Sequence, residues 1–325
     1  MSRPPFLIAD IGGTNARFAL ASPDYPYFES AQTFECIDYP SSLDAVDRYL
    51  QANEVNDIAG ICFAVAGIVK NHTVNFINSD WVISAQELKE RYSTHNVHLL
   101  NDFESIAYSL SQLDNDDILQ VGNATNYLDI SQDFNVAVIG PGTGLGVAGL
   151  IKRNDNIFPI TTEGGHVGFA PDNALQQKIL DFLHLKYPRV SNERLLSGQG
   201  LMNIHEALCS VRGEENPGLS PADIACSALD NSDTCCSETM KLFFEILGQV
   251  AGDIVLALGA YDGIFIGGGI TQRYPNQLIQ SNFRNSFENK GRYQAQLQSV
   301  PTWLITHKNA GLLGASYYAR TYLND

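Results

Sequence analysis

The sequence contains one local pattern twice: a short apolar segment, a glycine-rich turn and a second apolar segment. The first copy covers residues 6–20 around the turn 11–14, and the second covers residues 136–151 around the turn 140–146. Apolar segments on both sides of a glycine turn are typical of β-hairpins, because glycine accepts the backbone angles of a tight turn. The copies lie about 130 residues apart, which predicts two halves built on the same plan.

Segments between the hairpins predict helices. Apolar residues recur at helical spacing over residues 103–113, cover most of the helical circumference over residues 240–258, and predict a last helix over residues 311–323. Gly248 and Gly252 lie four residues apart, and we expect them to let another element approach closely. A third glycine turn, 267–269, follows the predicted strand 264–266. The alternation of strands and helices predicts an α/β architecture with helix-covered sheets.

Size and charge narrow the class of protein. A chain of 325 residues is expected to form two domains, since one hydrophobic core rarely grows past about 250–300 residues. The 36 acidic and 20 basic side chains give a net charge of −16, which disfavours a nucleic-acid backbone or an anionic membrane as the partner. The apolar segment 6–9 is too short for a signal peptide, and no long uncharged apolar run follows. A cytoplasmic protein is therefore expected.

The cysteines do not show the spacing of a metal or disulfide framework. None of the six forms a Cys-x-x-Cys pair or has a histidine-rich neighbour. Reduced and mostly buried thiols are therefore expected, rather than zinc or disulfides.

The glycine turns are also candidates for phosphate binding, since glycines let backbone N–H groups come close to an anion. Residues 144–149 match G-x-G-x-x-G, but a strand-like segment follows where a dinucleotide-binding fold needs a helix. No Gly-Lys-Ser/Thr follows either turn, so neither is a P-loop. Each turn carries a threonine, Thr14 or Thr143. Tight-turn geometry alone explains one such hairpin, whereas two in matching positions indicate a nucleotide held between them.

Asn101 and Asp102 stand at the end of the predicted strand 98–100 and the start of the helix at residue 103. Position alone favours Asp102 as an ordinary helix N-cap. The alternative is functional, because ligands of α/β sheets bind at the carboxyl ends of strands. There a carboxylate can take a proton from a hydroxyl group that attacks phosphorus.

A third set of polar residues consists of Glu163, His166 and Glu193. Glu163 and His166 are separated by two glycines and can both point into one cleft. The alternative is a loop with an exposed glutamate and a satisfied histidine, which is normally favoured for a lone histidine, and Glu193 is explained as a first-turn acid favoured by the helix dipole. Metal binding by Glu163 and His166 is disfavoured, because no further ligand is near them in the sequence.

Taken in this order, the segments resemble the bacterial-type glucokinases of the actin/hexokinase-like ATPase superfamily. The matching segments are DIGGTNAR (10–17), LNDF (100–103), GPGTGLG (140–146), EGGH (163–166), ERLLSG (193–198), IGGGI (266–270) and NAGLLGA (309–315). The resemblance implies two actin-like (ribonuclease-H-like) α/β domains with a ligand cleft between them. Residues 1–113 plus 307–325 would form the smaller domain and residues 114–306 the larger one.

The resemblance also implies ATP- and Mg²⁺-dependent transfer of a phosphoryl group to the 6-hydroxyl of glucose, the entry reaction of glycolysis. Asp102 would be the general base. The implied sugar-binding residues are Asn101, Asp102, Glu163, His166 and Glu193. The implied nucleotide-binding residues are Ala9, Asp10, Ile11, Gly12, Gly13, Thr14, Gly142, Thr143, Gly144, Gly267 and Gly268. Asp10 would hold Mg²⁺ through water, since magnesium keeps several of its waters, and a homodimer is expected.

The related sugar kinases and repressors that carry a cysteine-rich zinc motif after the Gly-His pair fit less well, because no cysteine follows His166 until Cys209. Three alternatives stay open: a kinase for another hexose such as fructose or mannose, a sugar sensor without turnover, and a structural ATPase of the actin kind. Asp102 disfavours the sensor, which needs no general base. Glu163, His166 and Glu193 disfavour the structural ATPase, because they suit a ligand made of hydroxyl groups.

Overall fold

The computed structural model describes residues 3–76, 81–124, 127–230 and 232–324. The chain divides into two compact units. The first unit comprises Met1–Asp114, Pro159–Thr161 and His307–Asp325, and the second comprises Asn115–Phe158 and Thr162–Thr306. Each unit has a hydrophobic core of its own, in agreement with the limit that surface-to-volume scaling sets on one core.

The elements of the first unit before its C-terminal helix alternate between strands and helices. They are β1 (Phe6–Ile11), β2 (Asn15–Ala21), β3 (Phe28–Glu35), α1 (Ser42–Ala52), β4 (Gly60–Val65), β5 (Thr73–Asn75), β6 (Val82–Ser84), α2 (Ala85–Tyr92), β7 (Val97–Asn101) and α3 (Asp102–Ser109).

The remaining elements belong to the second unit, except for residues 159–161 within β11 and the last helix, which belong to the first. They are β8 (Ile118–Gln120), β9 (Phe134–Pro141), β10 (Leu145–Arg153), β11 (Asn156–Thr162), α4 (Ala174–His184), α5 (Gly198–Arg212), α6 (Pro221–Leu229), α7 (Thr234–Leu258), β12 (Gly263–Ile266), α8 (Gly269–Arg273), α9 (Pro275–Gln280), α10 (Phe283–Glu288), α11 (Gln294–Ser299), β13 (Thr302–Ile305) and α12 (Ala310–Tyr322).

The two main sheets share one strand order over five strands, and β8 adds a sixth strand at the edge of the second sheet. In the first unit the strand order is β3-β2-β1-β4-β7, with β1 antiparallel to β2 and parallel to β4. In the second unit the order is β11-β10-β9-β12-β13-β8, with β9 antiparallel to β10 and parallel to β12. Both predicted hairpins are confirmed, and so is the prediction of two halves with one plan. A strand, β10, follows the turn at Gly144, which confirms that the G-x-G-x-x-G match is not a dinucleotide-binding fingerprint.

Helix α7 is the long buried helix that the sequence predicts, and it packs against α5, α6 and α10. It begins at Thr234, before the predicted start at residue 240, because the Asp233 carboxylate accepts a hydrogen bond of 2.8 Å from the Cys236 N–H and caps the helix. A Cβ atom at Gly248 would overlap the Phe283 carbonyl oxygen. The expected close approach is therefore confirmed, and its partner is α10.

Helix α3 ends at Ser109, earlier than the predicted end at residue 113. The Ser109 hydroxyl donates to the Ile106 carbonyl at 2.7 Å, and the Ser111 hydroxyl donates to the Tyr108 carbonyl at 3.1 Å. Serine hydroxyls that bond to nearby carbonyls compete with the helical ladder, which explains the early end. In the part of the chain that the structure describes, we find no helix that is both long and apolar enough to cross a bilayer.

Candidate functional site

The turn between β1 and β2 holds a carboxylate at the end of a buried strand. Asp10 lies opposite Arg17 in the hairpin, and its Oδ2 is 3.4 Å from Arg17 Nη1. A Cβ atom at Gly311 would lie 2.9 Å from the Asp10 carboxyl carbon, so the start of α12 lies directly beside this carboxylate. Burial raises the pKa of Asp10, and the Arg17 guanidinium opposes that shift. Backbone closure of the turn is shown by the 2.9 Å bond from the Gly12 N–H to the Asn15 carbonyl.

Neither Arg17 nor Gly311 was predicted as a site residue, although both lie within matching segments. The sequence contained a signal for each: Arg17 ends the first segment, and Gly311 is a glycine near the start of the last helix. What the sequence could not provide is the register that sets Arg17 across from Asp10, or the return of α12 to the β1 strand.

At the end of β7, the capping role belongs to Asn101 and not to Asp102. Asn101 Oδ1 accepts bonds from the Phe103 N–H at 2.9 Å and the Glu104 N–H at 3.3 Å, while the Glu104 carboxylate accepts the Asn101 N–H at 3.3 Å. This reciprocal pair is a capping box. The sequence-based interpretation of Asp102 as the N-cap is therefore wrong. Asp102 is the first helical residue, and its Oδ1 also accepts the Phe103 N–H at 2.9 Å.

The turn between β9 and β10 combines a closed backbone with an open outer face. The Gly142 N–H donates to the Gly144 carbonyl at 2.8 Å, and the Gly142 carbonyl accepts the Gly198 N–H at 2.9 Å. No heavy atom of the described residues lies within 4 Å of the position that a Cβ atom on Gly142 would take. Thr143 lies between the two glycines, at the tip of the turn. This part of the turn is therefore accessible to a ligand.

Glu193 connects that turn to His166. Its Oε2 accepts the Leu145 N–H at 2.9 Å, and its Oε1 lies 3.9 Å from His166 Nδ1. A Cβ atom at Gly144 would lie 2.5 Å from Glu193 Oε2, so a larger residue there would displace the Glu193 carboxylate. The side chains of His166 and Glu193 are 59% and 31% exposed, respectively, and can still reach a ligand.

Glu163 lies in the same turn as His166, and its carbonyl accepts the His166 N–H at 2.9 Å. Its side chain is exposed. The structure thus places Glu193 Oε1 3.9 Å from His166 Nδ1, and Glu163 immediately before the turn that contains His166. Carboxylates and an imidazole offer acceptors and a donor to hydroxyl groups.

The third glycine turn lies against the second. Gly268 has a positive φ of 86°, and a Cβ atom there would overlap the Pro141 carbonyl oxygen. The Gly267 N–H donates to the Ile139 carbonyl at 2.8 Å. Glycine is needed at position 268 both for the backbone angle and for the close approach. The turn at the end of β12 therefore adjoins the β9–β10 turn within one unit.

Comparison with known proteins gives the family of the chain. The family model described as "Glucokinase" matches residues 7–322. The glucokinase of Xylella fastidiosa (strain 9a5c) is 42% identical over 322 residues, which cover 97% of this chain and 95% of that protein.

Solved structures show the same fold. The crystal structure of glucokinase from an Antarctic psychrotroph superimposes with a TM-score of 0.87 at 34% identity, covering 97% of this chain and 98% of that one. A ROK-family glucokinase from Streptomyces griseus, solved in complex with glucose and AMPPNP, gives a TM-score of 0.64 at 19% identity over 97% of this chain and 99% of that one. The fold is the two-domain actin-like fold of sugar kinases. With a matching family model over nearly its whole length, this chain belongs to the glucokinase family.

Proposed function

We propose that this protein transfers the γ-phosphoryl group of ATP to the 6-hydroxyl of glucose, giving glucose 6-phosphate and ADP, with Asp102 as the general base. Membership of the glucokinase family supports the overall reaction. The observation that carries the assignment of Asp102 is the capping box, which gives the N-cap function to Asn101. An aspartate immediately after the cap is then not needed for capping.

In the proposed step, the Asp102 carboxylate takes the proton of the 6-hydroxyl while the sugar oxygen forms its bond to the γ-phosphorus. The bond from that phosphorus to the bridging oxygen breaks, and ADP leaves with the electron pair. Phosphoryl transfer depends on positioning and charge neutralisation more than on covalent chemistry of the protein. General-base assistance typically contributes about 10²–10⁴-fold in rate.

Glucose would be bound by Glu163, His166 and Glu193, together with Asn101 and Asp102. The contact from Glu193 Oε2 to the Leu145 N–H holds the carboxylate in place and leaves its Oε1 on the His166 side. Asn101 Nδ2 donates to the Gly67 carbonyl at 3.3 Å, which uses one of its two hydrogens. The second hydrogen remains as the donor for a sugar oxygen.

The nucleotide would be bound mainly by backbone groups. We assign the phosphates to the turn residues Ala9–Thr14 and Gly142–Gly144, and the adenosine to Gly267 and Gly268. Support comes from the open face at Gly142 and from the adjoining turn at Gly268. Backbone N–H groups in such turns form concave sites for anions.

Magnesium fits the carboxylate at the end of β1. Asp10 offers oxygen ligands, which Mg²⁺ prefers, and a quarter of its side chain is exposed to admit water-mediated contact. When bound, the ion would neutralise charge on the transferring phosphates. Arg17, at 3.4 Å, would oppose the effect of burial on the Asp10 carboxylate and orient it, and the start of α12 lies beside it.

On the basis of the family resemblance, the protein is also proposed to be a homodimer in the cytoplasm. Light scattering coupled to size-exclusion chromatography tests the dimer. A mass equal to that of one chain at working concentration would contradict it.

The activity is tested by a coupled ADP-release assay on the purified protein with ATP, Mg²⁺ and a panel of hexoses. We expect the highest kcat/KM with glucose. A higher kcat/KM with fructose or mannose would identify a different hexose kinase, and binding of glucose without ADP release would identify a sensor. Omission of Mg²⁺ should abolish turnover, and retained turnover would contradict the metal assignment.

A further inference from the structure

The interior of the second unit contains a cluster of sulfur and nitrogen side chains that the proposed phosphoryl transfer does not use. His205 and Cys209 lie one turn apart on α5, and Cys235 lies in the first turn of α7. Their exposed fractions are 2%, 2% and 4%. The cluster therefore sits where α5 packs on the start of α7.

The distances in the cluster match those between the ligands of a tetrahedral metal ion. Cys209 Sγ lies 3.7 Å from Cys235 Sγ and 3.9 Å from His205 Nδ1. With zinc–sulfur and zinc–nitrogen bonds of about 2.3 and 2.0–2.1 Å, tetrahedral geometry separates two sulfurs by about 3.8 Å and sulfur from nitrogen by about 3.5 Å. The potential ligand atoms of all three residues lie within 4.8 Å of one another. Only small side-chain shifts are needed to complete the coordination.

The cluster opens on a cavity of about 250 Å³, whose lining also includes Glu214, Glu215 and Asp233. The carboxylates of Glu215 and Asp233 favour the entry of a cation, while the nearby Arg212 pairs with Glu238 and lies 3.9 Å from Glu214. The cavity also leaves room for a water molecule beside the cluster, since one water occupies about 30 Å³ in the liquid. A path for an ion and a place for a fourth, non-protein ligand are thus both present.

We infer that His205, Cys209 and Cys235 bind a divalent cation of the zinc class, with water as the fourth ligand. Two thiolates and an imidazole select Zn²⁺ over Mg²⁺ or Ca²⁺, which prefer oxygen ligands. The ion would tie α5 to α7 and stabilise the second unit. The three residues do not follow a Cys-x-x-Cys pattern, because two of them are four residues apart on one helix and the third is 26 residues further on.

The test uses the full-length protein, purified with reductant and freed of metal by a chelator. Co²⁺ is the spectroscopic probe, and Zn²⁺ is the competitor. We expect one equivalent of Co²⁺ to produce a thiolate-to-cobalt charge-transfer band and the d–d bands of a tetrahedral site. Zn²⁺ should displace it stoichiometrically and raise the melting temperature. Loss of an outer-shell partner alone costs about 10–100-fold in metal affinity, so His205→Gln and Cys209→Ser should each weaken binding at least that much.

Two cysteines outside the cluster provide matched controls. Cys62 is buried in the first unit and Cys226 is exposed, and Cys62→Ala and Cys226→Ser should keep the cobalt spectrum of the wild type. Circular dichroism checks that each variant is folded. Absence of the charge-transfer band in the wild type would overturn the inference even if a variant failed to fold. An unchanged cobalt affinity in folded Cys209→Ser, or an equal loss in Cys62→Ala, would overturn it as well.

Discussion

At the scale of single residues, the Glu193 side chain contacts two parts of the proposed site. One carboxylate oxygen accepts the Leu145 N–H, which fixes the exit of the β9–β10 turn, while the other faces His166. The first contact is met equally by a glutamine amide oxygen. If the oxygen that faces His166 binds a sugar hydroxyl, a glutamine at position 193 makes that hydrogen bond weaker, because the acceptor is no longer charged.

Glu193→Gln should therefore raise the KM for glucose by roughly tenfold or more, because a hydrogen bond to a charged group contributes about 1.5–3 kcal/mol and about 1.4 kcal/mol is one decade. The KM for ATP at saturating glucose should change little. Steady-state kinetics with glucose, its epimers and its deoxy analogues measure both. Glu206→Gln is the control, since the Glu206 side chain is 28% exposed against 31% for Glu193 and pairs with Lys186. Unchanged sugar discrimination in Glu193→Gln would remove this residue from the sugar site.

Asp10 gives a prediction with a definite sign in pH. Burial raises its pKa, so the folded protein holds the proton more tightly than the unfolded chain does. Ionisation of Asp10 therefore lowers the stability of the folded state as the pH rises from the pKa of the unfolded chain to the higher pKa of the folded protein. The loss persists at neutral pH. Asp10→Asn removes this cost. Relative to wild type, the variant should gain free energy of unfolding between acid and neutral pH, while its ATP- and Mg²⁺-dependent turnover falls.

Urea unfolding at a series of pH values measures the Asp10 effect, with the exposed Asp57→Asn as the control. The burial argument would be contradicted if the free energy of unfolding of wild type increased relative to that of Asp10→Asn as the pH rises.

At the scale of elements, the β9–β10 turn separates a ligand-facing glycine from a structural one. Gly142 has open space where a Cβ atom would stand, whereas Gly144 lies against Glu193. A valine at position 142 is therefore expected to leave the fold intact and to block the approach of phosphate to the backbone. Gly142→Val should weaken ATP binding and leave glucose binding largely unchanged. Calorimetry with each ligand separately provides the measurement.

Gly144→Ala is the contrasting variant, because its methyl group would displace the Glu193 carboxylate; it should weaken glucose binding. If Gly142→Val lost both affinities equally, the phosphate assignment to this turn would have no support.

The elements also show where prediction from sequence succeeds. Both hairpins and the buried helix α7 follow from apolar segments and glycine turns, which are local signals. The ends of helices depend on individual hydrogen bonds, such as those of Asp233 at the start of α7 and of Ser109 at the end of α3. These bonds compete with other local choices of similar energy, and so the pattern of apolar residues does not determine them.

At the scale of the whole molecule, the repeated topology was predictable because each half carries its own copy of the strand–turn–strand pattern. The contacts within the proposed site were less predictable. Asp10, Asp102 and Glu193 are predicted as site residues from their segments. The contacts from Glu193 to the Leu145 N–H and from the start of α12 to Asp10 join positions distant in sequence. Such contacts follow from sheet register and helix packing, which no local pattern contains.

The central claim is that Asp102 acts as the general base, and the turnover of Asp102→Asn tests it most directly. Asparagine keeps the size of the side chain and an oxygen that can accept the Phe103 N–H, as Asp102 Oδ1 does at 2.9 Å, but it cannot take a proton. We predict that kcat falls by at least about 10²-fold while the Kd for glucose changes far less. Glu104→Gln, which alters the capping box without touching the proposed base, should keep near-normal turnover. A folded Asp102→Asn protein with near-wild-type kcat would contradict the account.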